Sequence, residues 1–333
     1  MSPNPLRKVD HGASHPAHLP LVGKTDQGEA VVSNGKDGAA RLSICIPTWH
    51  DSADALLASL IRMPGADECS LLIFDDGSLD SDLTRQLVRQ IRRYPGPARL
   101  ISAPANRGRS HARNRLMALA ESEWILFLDA DMLPDCDGFL TRYLATAATS
   151  DAPALIVGGF SLLQVRPTEE NSLHAAQSKR SECLPSETRA LDPGRFVFTS
   201  NILVHREIMR TVAFDPGYIG WGWEDVDWGL RVETDYPIQH IHNPATHLGL
   251  DADAQLIEKY AGSAANFARL VQQHGERLRS STLYTMANLL RRTPGRVVIE
   301  GIARRAALFQ FLPLSVRLFA LKLYRAALYG GAL

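Results

Sequence analysis

Short apolar runs alternate with segments of helical periodicity over residues 42–131, and this alternation constrains the fold more than any other feature. Strands are predicted at residues 42–48, 70–74, 99–102 and 124–128. Amphipathic helices are predicted between them at 53–61 and 80–93, and residues 106–120 are predicted to be a loop that enters a helix. Strands that alternate with helices usually pair in parallel, with helices covering both faces of the sheet. The chain is therefore predicted to be an α/β protein with a central, mostly parallel, Rossmann-like sheet flanked by helices.

Polar and acidic residues stand where these predicted strands end. Thr48 closes the first strand, Asp75 and Asp76 follow the second, and Asp129 and Asp131 follow the fourth. Ligands of such sheets bind beyond the carboxyl ends of the strands, where these side chains would meet. A functional site is therefore predicted at this edge.

The composition excludes several classes of protein. Of the 333 residues 45% are apolar and 22% are charged, which is typical of a globular chain. Lys plus Arg equal Asp plus Glu at 36 each, so no overall field favours a nucleic acid, and none is predicted as a partner. The four cysteines form no Cys-x-x-Cys pair and are predicted to be reduced thiols.

The first 40 residues are rich in Pro, Gly, His and Ser and are predicted to form a flexible extension. They lack the apolar stretch of a signal peptide, and no uncharged apolar run reaches the roughly 18 residues of a membrane span. A cytoplasmic location is therefore predicted. Residues 41–250 are predicted to form the α/β domain, and residues 251–333 a C-terminal helical extension.

The second half of the chain has a less regular pattern. Strands are predicted at residues 154–160, 196–204 and 238–242, and one long helix at 251–274. The intervening residues 164–195 are polar and charged, and a long loop in a compact domain is usually functional or mobile. This loop is predicted to form a wall of the substrate pocket.

The last segment, residues 297–333, is rich in Leu, Phe and Ala, has interspersed Arg and Lys residues, and has no acidic residue after Glu300. This composition is typical of a basic amphipathic segment on a membrane surface. Helices that pack on the main domain can have the same composition, and Pro313 interrupts the pattern. Both interpretations stay open at this stage. The first predicts peripheral contact with the inner face of a cell membrane.

Asp129 and Asp131 are candidates for a metal site because they directly follow a strand. Mg²⁺ and Mn²⁺ prefer oxygen ligands and commonly bridge protein carboxylates and substrate phosphates. Strand-end aspartates also often cap helices, so the pair alone decides little. His247, which follows another predicted strand, would complete a site suited to Mn²⁺ together with a diphosphate.

The stretch from Gly220 to Asp227 is the most specific one, with two tryptophans and three carboxylates at a helix start. Trp221 and Trp223 offer flat apolar faces on which sugar rings can stack. Glu224 and Asp225 would be stabilised as anions at the helix N-terminus, and a carboxylate there can act as a general base. The alternative is a capped helix with buried tryptophans.

Asn106, Arg107 and Gly108 lead into the third predicted helix, where Arg109 and Arg113 would lie near its start. Cations at a helix entrance suit a phosphate or nucleotide ligand. A solvated basic helix start is the alternative for each arginine.

The order and spacing of these motifs over residues 42–249 resemble family 2 glycosyltransferases of the GT-A fold. The motifs are Ile46-Pro47-Thr48, Asp75-Asp76-Gly77-Ser78, Asn106-Arg107-Gly108, Asp129-Ala130-Asp131 and Trp223-Glu224-Asp225. Residues 214–231 also resemble the C-terminal motif of β-1,4-galactosyltransferases and of chondroitin-polymerase-type enzymes. The chain departs from the family pattern at His50, where an Asn often stands.

The resemblance implies a UDP-sugar donor and a role for each motif. The residues implied to bind the nucleotide-sugar are Pro47, Thr48, Asp76, Arg109, Arg113, Asp129 and Ala130. It implies that Asp131 and His247 bind Mn²⁺ or Mg²⁺. It implies that Asp225 is the base, that Glu224 holds sugar hydroxyls, and that Trp221 and Trp223 bind the acceptor.

The activity expected from the resemblance is inverting transfer of a hexose or N-acetylhexosamine to an acceptor hydroxyl of a polysaccharide or lipid-linked glycan. A retaining transferase of similar fold is one alternative. A nucleotidyltransferase that makes nucleotide-sugars is another, although residues 48–51 lack the Gly-rich loop of that class. A scaffold that has lost catalysis is the third, and the intact Asp131, Asp225 and His247 disfavour it.

Overall fold

The computed structural model describes residues 21–333, with side chains described from Gly23 onward. This part of the chain forms twelve strands and thirteen α-helices. The strands are β1 (Leu21–Lys24), β2 (Ala30–Ser33), β3 (Leu42–Thr48), β4 (Cys69–Asp75), β5 (Ala98–Ser102), β6 (Trp124–Leu128), β7 (Met132–Pro134), β8 (Leu155–Val157), β9 (Phe160–Ser161), β10 (Asn201–His205), β11 (Ile238–His240) and β12 (Ala245–His247).

The helices cover both faces of the sheet and the whole C-terminal region. They are α1 (Asp54–Leu60), α2 (Ser81–Arg93), α3 (Arg109–Leu119), α4 (Phe139–Thr149), α5 (Ser172–Ser181), α6 (Ser186–Arg189), α7 (Arg206–Thr211), α8 (Glu224–Asp235), α9 (Asp253–Gly262), α10 (Ala264–Leu278), α11 (Thr282–Arg291), α12 (Arg296–Leu308) and α13 (Leu314–Ala332).

Nine of the strands form one sheet, in the order β1-β2-β5-β4-β3-β6-β10-β8-β11. The central strands β5, β4, β3 and β6 are parallel, whereas β2 and β10 run antiparallel to the strands beside them. Strands β7, β12 and β9 form a second, small sheet. The prediction of an α/β fold with a central, mostly parallel sheet and C-terminal helices is confirmed.

The core lies on both faces of the large sheet, as the alternation of side chains along β4 shows. Leu71 and Ile73 contact one buried cluster with residues of α1, α2 and α4. Leu72 and Phe74 contact the other, which includes residues of α3 and α8. Strands that are buried on both faces have nearly continuous apolar sequences, so the apolar runs of this chain predicted the central strands clearly.

The extension predicted for residues 1–40 needs correction. Strands β1 and β2 belong to the large sheet, and Val31 of β2 pairs antiparallel with Ile101 of β5. The run Ala30–Ser33 is only four residues long, so its pattern is weak without the neighbouring strand. Residues 1–20, the other part of the predicted extension, lie outside the described residues.

Several predicted elements of the second half differ in the structure. The strand predicted at 154–160 is divided into β8 and β9 because Gly159 has a φ of 99°, a backbone conformation that interrupts a strand. The strand predicted at 196–204 begins only at Asn201. The loop predicted at 164–195 contains α5 and α6. The long helix predicted at 251–274 is two helices separated at Ser263, whose hydroxyl is bonded to the Tyr260 carbonyl and the Tyr329 hydroxyl.

The C-terminal helices pack on the α/β domain through α13, which contacts α5, α9, α10, α11 and α12. Buried Arg317 of α13 pairs with buried Asp253 of α9 and donates to the Ala307 carbonyl. Arg325 lies over the Tyr260 ring, 4.0 Å from its centroid. In residues 21–333, no helix combines the length and the apolar character that a membrane crossing requires.

Candidate functional site

The motifs predicted to be functional meet at the carboxyl edge of the parallel strands. Asp76 lies after β4 and its backbone N–H donates to the Thr48 carbonyl, at 3.0 Å. The backbone N–H of Asp129, after β6, donates to the Ser200 carbonyl at 3.2 Å. Because β10 is antiparallel to β6, the residues before β10 reach the same edge that the parallel strands reach at their ends.

The Asp76 carboxylate is buried and fixes the loop that enters α3. It accepts backbone hydrogen bonds from Arg107, at 3.0 Å, and from Gly108, at 2.8 Å. Burial raises the pKa of Asp76, and these two hydrogen bonds oppose the shift. Gly77 permits this close approach, because a Cβ there would lie 2.2 Å from the Ala105 carbonyl carbon. Each carboxylate oxygen keeps lone pairs that can accept from a ligand.

Thr48 and Pro47 lie at the end of β3 beside this loop. The Thr48 hydroxyl is buried and donates to the Asp51 carbonyl at 2.5 Å, so it closes a turn. Pro47 is only partly buried, unlike the other residues of β3. The edge therefore presents the Asp76 carboxylate and the partly open β3 end together.

Two arginines of α3 organise the acidic residues. Arg113 is almost fully buried and donates to Asp129 Oδ1 at 2.8 Å. Arg109 donates from Nη2 to Asp129 Oδ2 at 3.3 Å and from Nε to Glu224 Oε1 at 2.6 Å. Glu224 is buried, and its other oxygen, Oε2, has no partner among the described residues. This network joins β6, α3 and the start of α8.

Asp131 directly precedes β7, and His247 is the last residue of the neighbouring strand β12. His247 Nε2 lies 3.0 Å from Asp131 Oδ2. Ala130, between the two aspartates, is buried. Burial alone would raise the pKa of Asp131 and lower that of His247, but their mutual hydrogen bond and charges lower the first pKa and raise the second. A Cβ on Gly249 would lie 2.2 Å from Asp131 Oδ2, so a side chain there would have to displace this carboxylate.

The donor set of this pair, one carboxylate and one imidazole, suits a divalent cation such as Mn²⁺. Within residues 21–333, no group of three or more His, Cys, Asp or Glu side chains is arranged to hold a metal. Two protein ligands therefore meet, and a substrate diphosphate could supply the remaining oxygen ligands.

Asp225, the second residue of α8, is recessed and held by Thr199. The Thr199 hydroxyl donates to Asp225 Oδ1 at 2.7 Å, and the Thr199 backbone N–H donates to Oδ2 at 3.3 Å. Burial raises the pKa of Asp225 to about 6, and the charge of Glu224 adds to this shift. Arg113 and Arg109 oppose it. A carboxylate of this pKa is ionised at neutral pH and can still accept a proton.

The two tryptophans of the predicted acceptor site pack on the C-terminal helices. The Trp223 ring lies 5.1 Å from the Phe267 ring and 5.9 Å from the Tyr329 ring, and the Trp221 ring lies 5.7 Å from the Tyr260 ring. Both tryptophans are partly exposed. Trp223 has a φ of 78°, a left-handed conformation that costs a bulky residue energy and clusters at functional sites.

An open cavity of ≈ 1020 Å³ lies beside this centre, where the loop at 164–195 was predicted to form a pocket wall. Its lining is mostly apolar and includes Phe160, Leu184 and Leu314. The Phe160 ring contacts the His247 ring, with 5.8 Å between centroids, so this side chain separates the cavity from the Asp131–His247 pair.

Asp76, Asp129 and Asp131 lie at the edge of the sheet predicted for them. Three residues that the sequence pattern did not indicate lie beside the predicted site residues. Thr199 and Gly249 contact the predicted base and the predicted metal pair, and His111 Nδ1 lies 3.8 Å from Asp76 Oδ1. Thr199 could have been placed at this edge only with the knowledge that β10 runs antiparallel to β6. The predicted parallel sheet would have placed residue 199 at the opposite edge.

Comparisons with known proteins concern the family and the fold. The family model described as Glycosyl transferase family 2 matches residues 43–202. Two validoxylamine A glucosyltransferases, from Streptomyces hygroscopicus subsp. jinggangensis (strain 5008) and subsp. limoneus, are each 28% identical over 219 residues. The match covers 57% of this chain and 51% and 47% of the two relatives, so the chain spans about half the length of these curated relatives.

Solved structures share the fold at low sequence identity. A mannosyltransferase from Pyrobaculum calidifontis, PcManGT, in complex with GDP-Man and Mn²⁺, matches with a TM-score of 0.57 and 15% identity over 93% of this chain and 90% of that one. The S. aureus protein TarS matches with a TM-score of 0.50 and 14% identity, over 86% of this chain and 54% of that one. At this level of identity the likeness concerns the fold alone. The family model ends at residue 202, so it does not test the resemblance of residues 214–231 to β-1,4-galactosyltransferases and chondroitin-polymerase-type enzymes.

Proposed function

Because residues 43–202 form a glycosyl transferase family 2 domain, we propose that this chain is a glycosyltransferase that moves a sugar from a UDP-sugar to an acceptor hydroxyl with inversion. The observation that carries the proposal is the position of Asp225. This carboxylate has a raised pKa and is held by Thr199, and it neighbours the network that joins Arg109, Asp129 and Glu224.

In the proposed reaction, Asp225 accepts the proton of the acceptor hydroxyl. The acceptor oxygen then forms a bond to the anomeric carbon, and the bond from that carbon to the β-phosphate oxygen of UDP breaks. Direct displacement from the opposite face inverts the anomeric centre. Arg109 holds Glu224 and Asp129 in place, so that their oxygens can bind hydroxyls of the sugar and ribose.

The nucleotide would bind at the ends of β3 and β4. The Asp76 carboxylate is a fixed acceptor for the imide N–H of uracil, because two backbone N–H groups already orient it. Thr48 and Pro47 would contact the uridine beside it. The donor of the similar P. calidifontis structure is GDP-Man, so a guanine nucleotide is the alternative that the experiment must separate.

Asp131 and His247 would hold Mn²⁺ or Mg²⁺ together with the diphosphate. Such a cation, when bound, stabilises the negative charge that develops on the departing nucleotide. His247 Nε2 lies 3.0 Å from Asp131 Oδ2, and Gly249 leaves room for the carboxylate beside it. The two proposed metal ligands are therefore paired before substrate binds. The proposed sugar is a hexose or an N-acetylhexosamine, and the proposed acceptor is a polysaccharide or a lipid-linked glycan.

The test is nucleotide release from a panel of UDP-sugars and from GDP-mannose, with Mn²⁺, with Mg²⁺ and with a chelator. Slow hydrolysis of one UDP-sugar that stops with chelator would support the proposal and identify the sugar. Release from GDP-mannose alone would overturn the UDP assignment. No release and no nucleotide binding by calorimetry would overturn the transferase proposal. Where a UDP-sugar is consumed, proton NMR of the first product formed would show whether the anomeric configuration has inverted.

A further inference from the structure

Helices α12 and α13 form an antiparallel hairpin whose outer side leaves large apolar side chains exposed. We call this side the hairpin face. Its most prominent members are Val298, Ile302, Phe309, Phe311, Val316 and Phe319, which are between 43% and 91% exposed. Phe309 and Phe311 lie at the turn between the helices, with ring centroids 5.4 Å apart. Large apolar side chains exposed together on one supersecondary unit often mark an interaction surface.

Cations lie within the hairpin face and not merely around it. Val298, Ile302, Arg305 and Phe309 follow one another at intervals of three or four residues, so they form one stripe of α12. On α13, Lys322 lies one turn after Phe319. Both Arg305 and Lys322 are exposed, and no salt bridge of either occurs among the described residues.

The other cations of residues 301–333 have partners within the protein. Arg317 pairs with Asp253, and Arg325 lies over the Tyr260 ring. Arg304 pairs with Glu258. Residues 301–333 contain no acidic residue, so Arg305 and Lys322 leave the hairpin face with a net positive charge. The inner side of this segment packs on the domain, as one of the two interpretations predicted, and its outer side stays exposed.

We propose that the hairpin face docks on the surface of a bilayer that contains anionic lipids. The apolar side chains of such a face enter the boundary between headgroups and acyl chains, roughly 5–10 Å deep, while cations contact anionic headgroups. The aromatic turn and the stripe of α12 would enter the interface, and Arg305 and Lys322 would pair with lipid phosphates. Docking needs no membrane-spanning helix.

A second copy of this chain is a less suitable occupant for the same face. In a two-fold dimer the same surface of both copies would meet, which would bring Arg305 and Lys322 of each copy close to those of the other. No acidic residue of 301–333 could compensate the repulsion. The charge of the face therefore favours an anionic partner over a like-charged one.

The experiment is co-sedimentation of the full chain with vesicles of phosphatidylcholine alone and with vesicles that also contain phosphatidylglycerol. We expect binding to the mixed vesicles only. Arg305→Glu with Lys322→Glu should weaken that binding by roughly 25-fold or more, because each cation near an anionic surface contributes a factor of about five. Phe311→Ser with Phe319→Ser should weaken it by about ten-fold or more.

Matched controls separate the hairpin face from general effects of charge and polarity. Arg89→Glu with Arg93→Glu changes the net charge equally on α2, and Leu289→Ser removes an exposed apolar side chain of α11, outside the hairpin face. Both should bind vesicles like the unaltered protein. Nucleotide-sugar hydrolysis in the absence of vesicles should be unchanged in all variants, so failure here is distinct from failure of the proposed activity.

Three outcomes would overturn the proposal. The first is no sedimentation of the unaltered chain with phosphatidylglycerol vesicles, and the second is equal binding by the hairpin and control variants. The third is a dimer in light scattering that Phe311→Ser with Phe319→Ser converts to a monomer without changing vesicle binding. That last result would assign the face to self-association.

Discussion

The Nε of Arg109 donates a 2.6 Å hydrogen bond to Oε1 of Glu224, although 115 residues separate them in the chain. Arg109 is the first residue of α3 and Glu224 the first of α8, so the bond ties the starts of two helices together. Because Arg109 also contacts Asp129, one guanidinium positions acidic groups from two motifs. The site therefore depends on an interaction that neither motif contains by itself.

Breaking this bond should cost stability as well as activity. Arg109→Met would leave the buried Glu224 charge without its partner, and the free energy of unfolding in urea should fall by about 2 kcal/mol. The double variant Arg109→Met with Glu224→Gln removes the unpaired charge and should recover about half of that loss. If the loss of stability in the double variant equals the sum of the losses in the two single variants, the bond contributes no coupling energy.

Replacing the proposed base should separate chemistry from binding. Asp225→Asn keeps the shape of the side chain but cannot accept the acceptor proton, so turnover should fall by roughly 10²-fold or more. Affinity for UDP, measured by calorimetry, should change less than about three-fold. Asp235→Asn, an exposed aspartate on the same helix, is the matched control and should leave turnover intact. Comparable turnover in Asp225→Asn would remove this residue from the role.

The pH dependence of turnover should report the titration of Asp225. Its pKa is raised to about 6, so the ionised, active form predominates above that pH and declines below it. We expect kcat/KM to fall about ten-fold per pH unit below pH 6. The Glu224 charge raises this pKa, so Glu224→Gln should move the acidic limb to lower pH, whereas Asp235→Asn should not. An unmoved limb in Glu224→Gln would assign the titration to another group.

The close approach of Gly249 to the Asp131–His247 pair predicts a selective effect on metal binding. A methyl group in Gly249→Ala would lie 2.2 Å from Asp131 Oδ2 and must displace it. Affinity for Mn²⁺, followed by electron paramagnetic resonance in the presence of UDP, should fall by about ten-fold or more. Gly262→Ala, where a Cβ meets no atom within 4 Å, is the control. Equal affinities in the two variants would exclude this pair as the metal site.

The fold was predictable where each strand is buried on both faces. Strands β3, β4 and β6 are continuous apolar runs that end in breakers, and the acidic residues after them follow from the same signal. Strand β2 was missed because it has only four residues and joins the large sheet through β5, far along the chain. Ser263 likewise separates α9 from α10 through a contact with Tyr329, which helical periodicity cannot reveal.

The sequence by itself determined the class of fold, the edge of the sheet that carries the site, and the acidic residues at that edge. These follow from local periodicity and from the rule that parallel strands end together. Only the tertiary structure decided that Thr199 holds Asp225, that Gly249 contacts Asp131, and which cations of the last two helices face outward. These contacts join residues distant in the chain, and strand direction and helix packing, which no local pattern encodes, bring them together.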